Sequence, residues 1–159
     1  IDTCKELEQR GADVVGMNCF RGPTTMMPYL KEIRKVIKCH MAALPIPFRT
    51  TKDQPTFFNL DDNNNCTCPS PHGRTFPTAL DPMYCNRYEI RKFAKEANAL
   101  GINYLGVCCG AAPMHIREVA EAIGREVPAS RYKEKMVNHF MYGTNKRIPD
   151  HIKEYGSKA

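Results

Sequence analysis

The sequence predicts an α/β fold with about three parallel strands, and three observations carry that prediction. Short apolar runs alternate with longer amphipathic stretches between residues 1 and 124, the order that strand–helix–strand crossovers produce. The run Asp13–Cys19 is apolar and ends in polar residues, as a buried parallel strand does. Glycines (Gly11, Gly101, Gly124) close the amphipathic stretches, where a helix leaves through a left-handed residue. Such a sheet, with right-handed crossovers, suits an incomplete open sheet or part of a (β/α)8 barrel.

Taken in order, Thr3 with Glu6 has capping-box spacing and starts a helix that stops at Gly11. The Asp13–Cys19 strand follows. Thr24 and Thr25 are candidate caps for a helix reaching Lys38, with Met27, Leu30, Ile33 and Ile37 on one face. His40–Leu44 is a second strand, ended by Pro45 and Pro47. Residues 45–85 then hold seven of the twelve prolines and little periodicity. They form a long irregular insertion, either a functional lid or a variable loop. Asn86 with Glu89 caps the next helix, whose apolar positions are Ile90, Phe93, Ala94, Ala97 and Leu100. Ile102–Val107 is the third strand. Pro113 opens a last helix with Ile116, Val119, Ala120 and Ile123 on its apolar face. Residues 125–159 carry short apolar clusters (Met136, Val137, Phe140, Met141, Tyr142) and read as a C-terminal arm docking on another subunit.

Composition narrows the function. The chain of 159 residues opens on Ile1, inside what reads as a helix, and is expected to be a piece of a longer protein. No stretch nears the ~20 apolar residues of a membrane span, and nothing resembles a secretion signal. The net charge is +6, of which +4 lies in residues 125–159, where eight Lys/Arg face four Asp/Glu. Bases there alternate with acids and lack an aromatic ladder, unlike a nucleic-acid footprint. The eight cysteines accompany amphipathic helices that need no disulfide staples. That points to a cytoplasmic protein with metal-binding and core thiols.

The thiols supply the chemistry. Residues 9–19 (Gln9-Arg10-Gly11-Ala12-Asp13-Val14-Val15-Gly16-Met17-Asn18-Cys19) align without gaps to residues 99–109, ending Leu105-Gly106-Val107-Cys108-Cys109. Both units read helix end, Gly, Asp or Asn, apolars, Gly, apolar, thiol. Each thiol falls at the C-terminal end of a parallel strand, where α/β folds place their chemistry. Cys19, Cys108 and Cys109 can therefore converge on one ion. Three thiolates select zinc, and three protein ligands leave a fourth position open. An electron-rich site of that kind suits an incoming thiol and predicts alkyl transfer to sulfur.

Val15-Gly16-Met17-Asn18-Cys19 and Gly106-Val107-Cys108-Cys109-Gly110 resemble the paired zinc-binding motifs of the homocysteine S-methyltransferase family, most closely its betaine-using members. The resemblance covers residues 1–124, treated as the C-terminal part of a homocysteine-binding barrel domain. It implies a (β/α)8 barrel in which Cys19 ends strand 6, His40–Leu44 is strand 7 and Cys108–Cys109 end strand 8. It also implies that these cysteines hold Zn2+, which activates homocysteine for conversion to methionine, with betaine the favoured methyl donor. This chain alone is expected to be inactive. Alternatives are a zinc-binding structural or interaction protein, and a thiol redox protein.

The remaining candidates read more plainly. Cys4, Cys39 and Cys85 are expected to be structural. Cys66-Thr67-Cys68 lacks a second pair and reads as incidental. His40 and His115 read as hydrogen-bonded structural residues that matter only if they approach the cysteines. Asn18 supports the ligand shell or caps the next turn. Gly16 and Gly106 permit close backbone approach.

Overall fold

In the computed structural model, which describes residues 1–61 and 75–158, the order is α1 (Asp2–Gln9), β1 (Val14–Asn18), α2 (Pro23–Val36), β2 (His40–Leu44), α3 (Arg87–Ala99), β3 (Tyr104–Leu105), α4 (Pro113–Ala122) and α5 (Asp150–Lys158). The three strands form one parallel sheet in the order β1-β2-β3. Val14 pairs with His40 and Asn18 with Leu44, so the C-terminal ends of β1 and β2 lie side by side. Ala43 pairs with Leu105. The alternation of side chains across a strand sends Val15, Met41 and Ala43 into a core with Met26, Leu30 and Ile33 of α2 and Phe93 and Ala97 of α3. Val14 and Tyr104 are exposed.

Several local expectations needed correction. Helix α1 starts at Asp2, one residue before the expected Thr3 cap, and its N-cap Ile1 makes no side-chain cap bond. Helix α2 is capped by Gly22, and Thr24 and Thr25 fall inside its first turn. The Thr25 hydroxyl instead lies 2.6 Å from that of Thr50. Proline at the first helical position wins here, because its fixed φ suits that site and it needs no donor partner. Strand β3 pairs only over Tyr104–Leu105, shorter than the expected Ile102–Val107. In α4 the buried residues are His115, Glu118 and Val119, whereas Ile116 is exposed. Burial of Glu118 is compensated by Arg91 of α3, whose Nε donates to its carboxylate.

The Asn86 cap is present in full. Its side chain accepts from the Tyr88 and Glu89 N–H groups, and the Glu89 carboxylate accepts from the Asn86 N–H at 2.7 Å. Glu89 also receives both arms of Arg49, at 2.8 and 2.9 Å. Burial pushes the Glu89 carboxyl up, but the Arg49 and Asn86 hydrogen bonds outweigh it and the net shift is downward. Asn86→Ala is expected to cost about 1 kcal/mol in urea unfolding, with Asn86→Asp near wild type.

The irregular segment after β2 is not structureless where it is described. Ile46, Phe48, Phe57 and Leu60 form a small core of their own, joined by Phe76, Leu80, Met83 and Tyr84. An antiparallel bridge ties Phe48 to Tyr84 and so closes the segment at its base. The chain divides into two units, Ile1–Val127 and Pro128–Ala159. The second holds two 3₁₀ turns and α5, a helix that the sequence reading did not anticipate. Among the described residues no helix is long and apolar enough to cross a membrane.

Candidate metal centre

The parallel register brings the two repeat units together at one end of the sheet. Cys19 leaves β1 with its N–H donating to the Leu44 carbonyl at 2.9 Å. Cys108 leaves the third strand with its N–H donating to the next carbonyl along, Pro45, at 2.8 Å. Both cysteines are thus hung from consecutive residues at the end of β2. Cys19 and Phe20 have φ of 65° and 62°, a left-handed conformation that costs a non-glycine residue energy and collects at functional sites.

The Cys19 and Cys109 sulfurs are 3.4 Å apart and those of Cys108 and Cys109 are 3.8 Å apart. All three lie within 4.8 Å of one another. Tetrahedral ligation at a Zn–S distance near 2.3 Å needs sulfurs separated by about 3.8 Å, so the donor set fits three corners of a tetrahedron. Cys19 and Cys108 are half-buried and Cys109 is exposed, which leaves the cluster open on one side. Among the described residues the cluster has three donors.

The thiols share charge unevenly. Burial pushes the Cys19 thiol up, but the Phe20 N–H and hydrogen bonds from Cys108 and Cys109 outweigh it, and the net shift is downward. Cys108 is pushed up to about 11, by burial first and then by the bond to Cys19. Without a cation, charge on one sulfur thus opposes charge on the next. A divalent ion removes that opposition, because its field favours every thiolate at once.

The other candidates separate clearly. His40 is exposed at the start of β2, with Nδ1 3.1 Å from the Asn103 carboxamide oxygen, at the opposite end of the strand from Cys19. His115 is buried at the start of α4, where Nδ1 accepts from the Ala112 N–H at 2.9 Å. Burial holds its pKa below the ordinary histidine range, consistent with a neutral ring accepting that bond. Asn18 is exposed and pairs in register with Leu44. Gly16 is a site of close backbone approach, where an added Cβ would lie 1.9 Å from the Ala42 carbonyl oxygen, whereas at Gly106 it would meet only the Leu44 side chain, at 3.2 Å from Cδ2. Cys4 and Cys85 are buried and Cys39 is half-buried. Cys66 and Cys68 lie outside the described residues.

Sequence reasoning missed the aromatic wall beside the cluster. Cys19 and Cys108 both pack against the small core of Phe48, Phe57 and Tyr84. Phe57 contacts Phe58 and Phe76 with ring centroids 4.3 and 5.1 Å apart. The signal was present in the sequence as aromatic residues recurring through a proline-rich segment, which a purely solvated loop does not need.

Residues 1–123 match the family model described as homocysteine S-methyltransferase. Betaine–homocysteine S-methyltransferase 1 of Danio rerio is 36% identical over 124 residues, covering 76% of this chain and 28% of the relative. The Bos taurus protein of the same name is 32% identical over 126 residues, with the same coverage. S-methylmethionine–homocysteine S-methyltransferase of Mus musculus is 32% identical over 127 residues, covering 76% of this chain and 31% of the relative. The chain therefore spans less than a third of the length of these relatives.

Proposed function

The chain belongs to the homocysteine S-methyltransferase family, and from that membership we propose that it is the C-terminal part of a (β/α)8-barrel enzyme that methylates the thiol of homocysteine to give methionine. Cys19, Cys108 and Cys109 would hold Zn2+. The observation that carries the reading is the convergence of three sulfurs within 4.8 Å at the C-terminal end of a parallel sheet. The consecutive strand order and the exposed Val14 and Tyr104 support a wall of a barrel.

Zinc bound there would stabilise an incoming thiol as its thiolate while three anionic ligands keep that sulfur nucleophilic. The chain's own residues do the holding and the shielding. The Leu44 and Pro45 carbonyls anchor Cys19 and Cys108 through their backbone N–H groups. The Phe48, Phe57 and Tyr84 wall covers one side of the cluster, and the exposed side at Cys109 admits substrate. The homocysteine proton passes to solvent. Its sulfur forms the S–CH3 bond as the donor's C–N or C–S bond breaks, and the electron pair leaves with the neutral amine or thioether. Betaine is the favoured donor. S-methylmethionine is the alternative that one group of relatives is named for.

The same reading makes residues 125–159 an arm that contacts a second subunit, supported by exposed Tyr132, Phe140, Tyr142 and Tyr155. It places the protein in the cytoplasm, which the six free thiols among the described residues support. A thiol redox role is the second reading, favoured only by the 3.4 Å Cys19–Cys109 contact.

The test uses the full-length protein with homocysteine and either donor. Methionine formation that a chelator abolishes and zinc restores is expected, with betaine the faster donor. No methionine from either donor overturns the reading. Thiols that oxidise to a stable disulfide without chelation favour the redox alternative.

A further inference from the structure

One cysteine of the cluster is not hung from β2. Cys19 and Cys108 hang from the end of β2, but Cys109 is exposed and is followed by the turn Gly110-Ala111-Ala112 before α4 begins. Two side chains hold that turn. The Tyr84 hydroxyl donates to the Gly110 carbonyl at 2.7 Å. The Ala112 N–H donates to His115 Nδ1 at 2.9 Å. The two rings stack on each other, with centroids 5.6 Å apart and planes 18° apart. The Phe48 ring also contacts Tyr84, with centroids 4.8 Å apart and planes tilted by 37°. Gly110 has φ of 83°, and a Cβ there would lie 2.6 Å from the Phe48 ring. The turn is therefore seated against this stack.

The stack is itself braced. Tyr84 is bridged to Phe48, with the Arg49 N–H donating to the Met83 carbonyl at 2.7 Å and the Cys85 N–H to the Pro47 carbonyl at 2.9 Å. Arg49 is locked to Glu89 at the start of α3 by two hydrogen bonds. A continuous set of contacts runs from the cap of α3, through the base of the irregular segment, to the residue after Cys109. A merely space-filling tyrosine would not need its hydroxyl aimed at that carbonyl.

We propose that Tyr84 and His115 are positioning residues that clamp the Gly110–Ala112 turn and so set where the Cys109 sulfur lies relative to Cys19 and Cys108. The inference rests on the metal reading above and deepens it. It assigns to the irregular segment a task besides covering the site: the segment carries the residue that orients the most exposed ligand. Groups that orient metal ligands commonly change metal affinity 10–100-fold when removed.

The test is Co2+ titration of the full-length protein after zinc removal, reading the thiolate charge-transfer and ligand-field absorption, with affinity taken from competition against a chelator. Tyr84→Phe keeps the ring and the stack and removes only the hydroxyl. Its Co2+ affinity is expected to fall about 10-fold or more, with shifted bands and a nearly unchanged urea midpoint for the metal-free protein. His115→Gln can still accept from the Ala112 N–H but loses the stack, and it should lie between wild type and His115→Ala. If His115→Ala fails to fold, Tyr84→Phe carries the result. A Tyr84→Phe protein with wild-type spectrum and affinity overturns the clamp while leaving the metal reading intact. A wild-type protein that takes up no Co2+ overturns both.

Discussion

Cys109→Ala in the full-length protein is expected to abolish stoichiometric zinc binding and methionine formation together. The remaining pair, Cys19 and Cys108, provides two donors where three are needed for an open site. Activity should fall by well over the roughly 100-fold that loss of a supporting residue produces. Metal analysis of the purified variant and a methionine assay read the two losses independently. The contrast is Cys4→Ala. Cys4 is buried in the core between helices and sheet, so its loss should cost about 1 kcal/mol of stability and leave zinc content unchanged. Zinc retained at full occupancy by Cys109→Ala would remove that residue from the ligand set. Zinc lost from Cys4→Ala would show that the metal reports global folding and nothing local.

The convergence of Cys19, Cys108 and Cys109 was legible in the sequence through a repeat. The two repeat units, 90 residues apart, share helix end, glycine, strand and thiol. Strands in one parallel sheet end at the same side, so equal offsets from the helix end become nearness in space. Asn18 pairs with Leu44, and the Cys108 N–H reaches the Pro45 carbonyl. That register turns two sequence positions into neighbours. The adjacency of Cys108 and Cys109 then supplies a second donor on the same turn.

The clamp had no such signal. Tyr84 and Phe48 meet through one isolated bridge across the irregular segment, and no period in the sequence marks a bridge of that kind. His115 was visible as a helix-start residue, but its partner was not, since ring stacking depends on tertiary placement. The same limit explains Ile116. Its helical position was right, but the buried stripe of α4 is set by the packing of Glu118 on Arg91 and of Val119 on Ile90 and Ala94. The Thr3–Glu6 pair failed for a simpler reason: helix α1 begins at Asp2, so Thr3 is already helical and cannot serve as the half-extended cap residue.

Gly16→Ala is expected to have the largest effect on stability of any single-methyl change in the sheet. Gly16 pairs with Ala42 across β1 and β2. A Cβ at Gly16 would fall 1.9 Å from the Ala42 carbonyl oxygen, 2.7 Å from its carbon and 2.8 Å from its nitrogen. All three are backbone atoms, so no rotamer change can relieve the clash. Overpacking against side chains costs about 1–3 kcal/mol, and a backbone obstruction should reach or exceed the top of that range. Gly101→Ala is the calibrating variant. Gly101 has φ of 72° but nothing within 4 Å of its would-be Cβ, so only the left-handed strain of about 1–2 kcal/mol applies. The two glycines thus separate space from conformation. The consequence for function follows from the ladder. If β1 moves away from β2 to admit the methyl, the Cys19 N–H loses its hold on the Leu44 carbonyl, and Cys19 withdraws from Cys109. Gly16→Ala should therefore weaken metal binding as well as lower the urea midpoint, whereas Gly101→Ala should lower the midpoint alone. A Gly16→Ala protein within about 1 kcal/mol of wild type would mean that the strands do not approach as closely as the register requires.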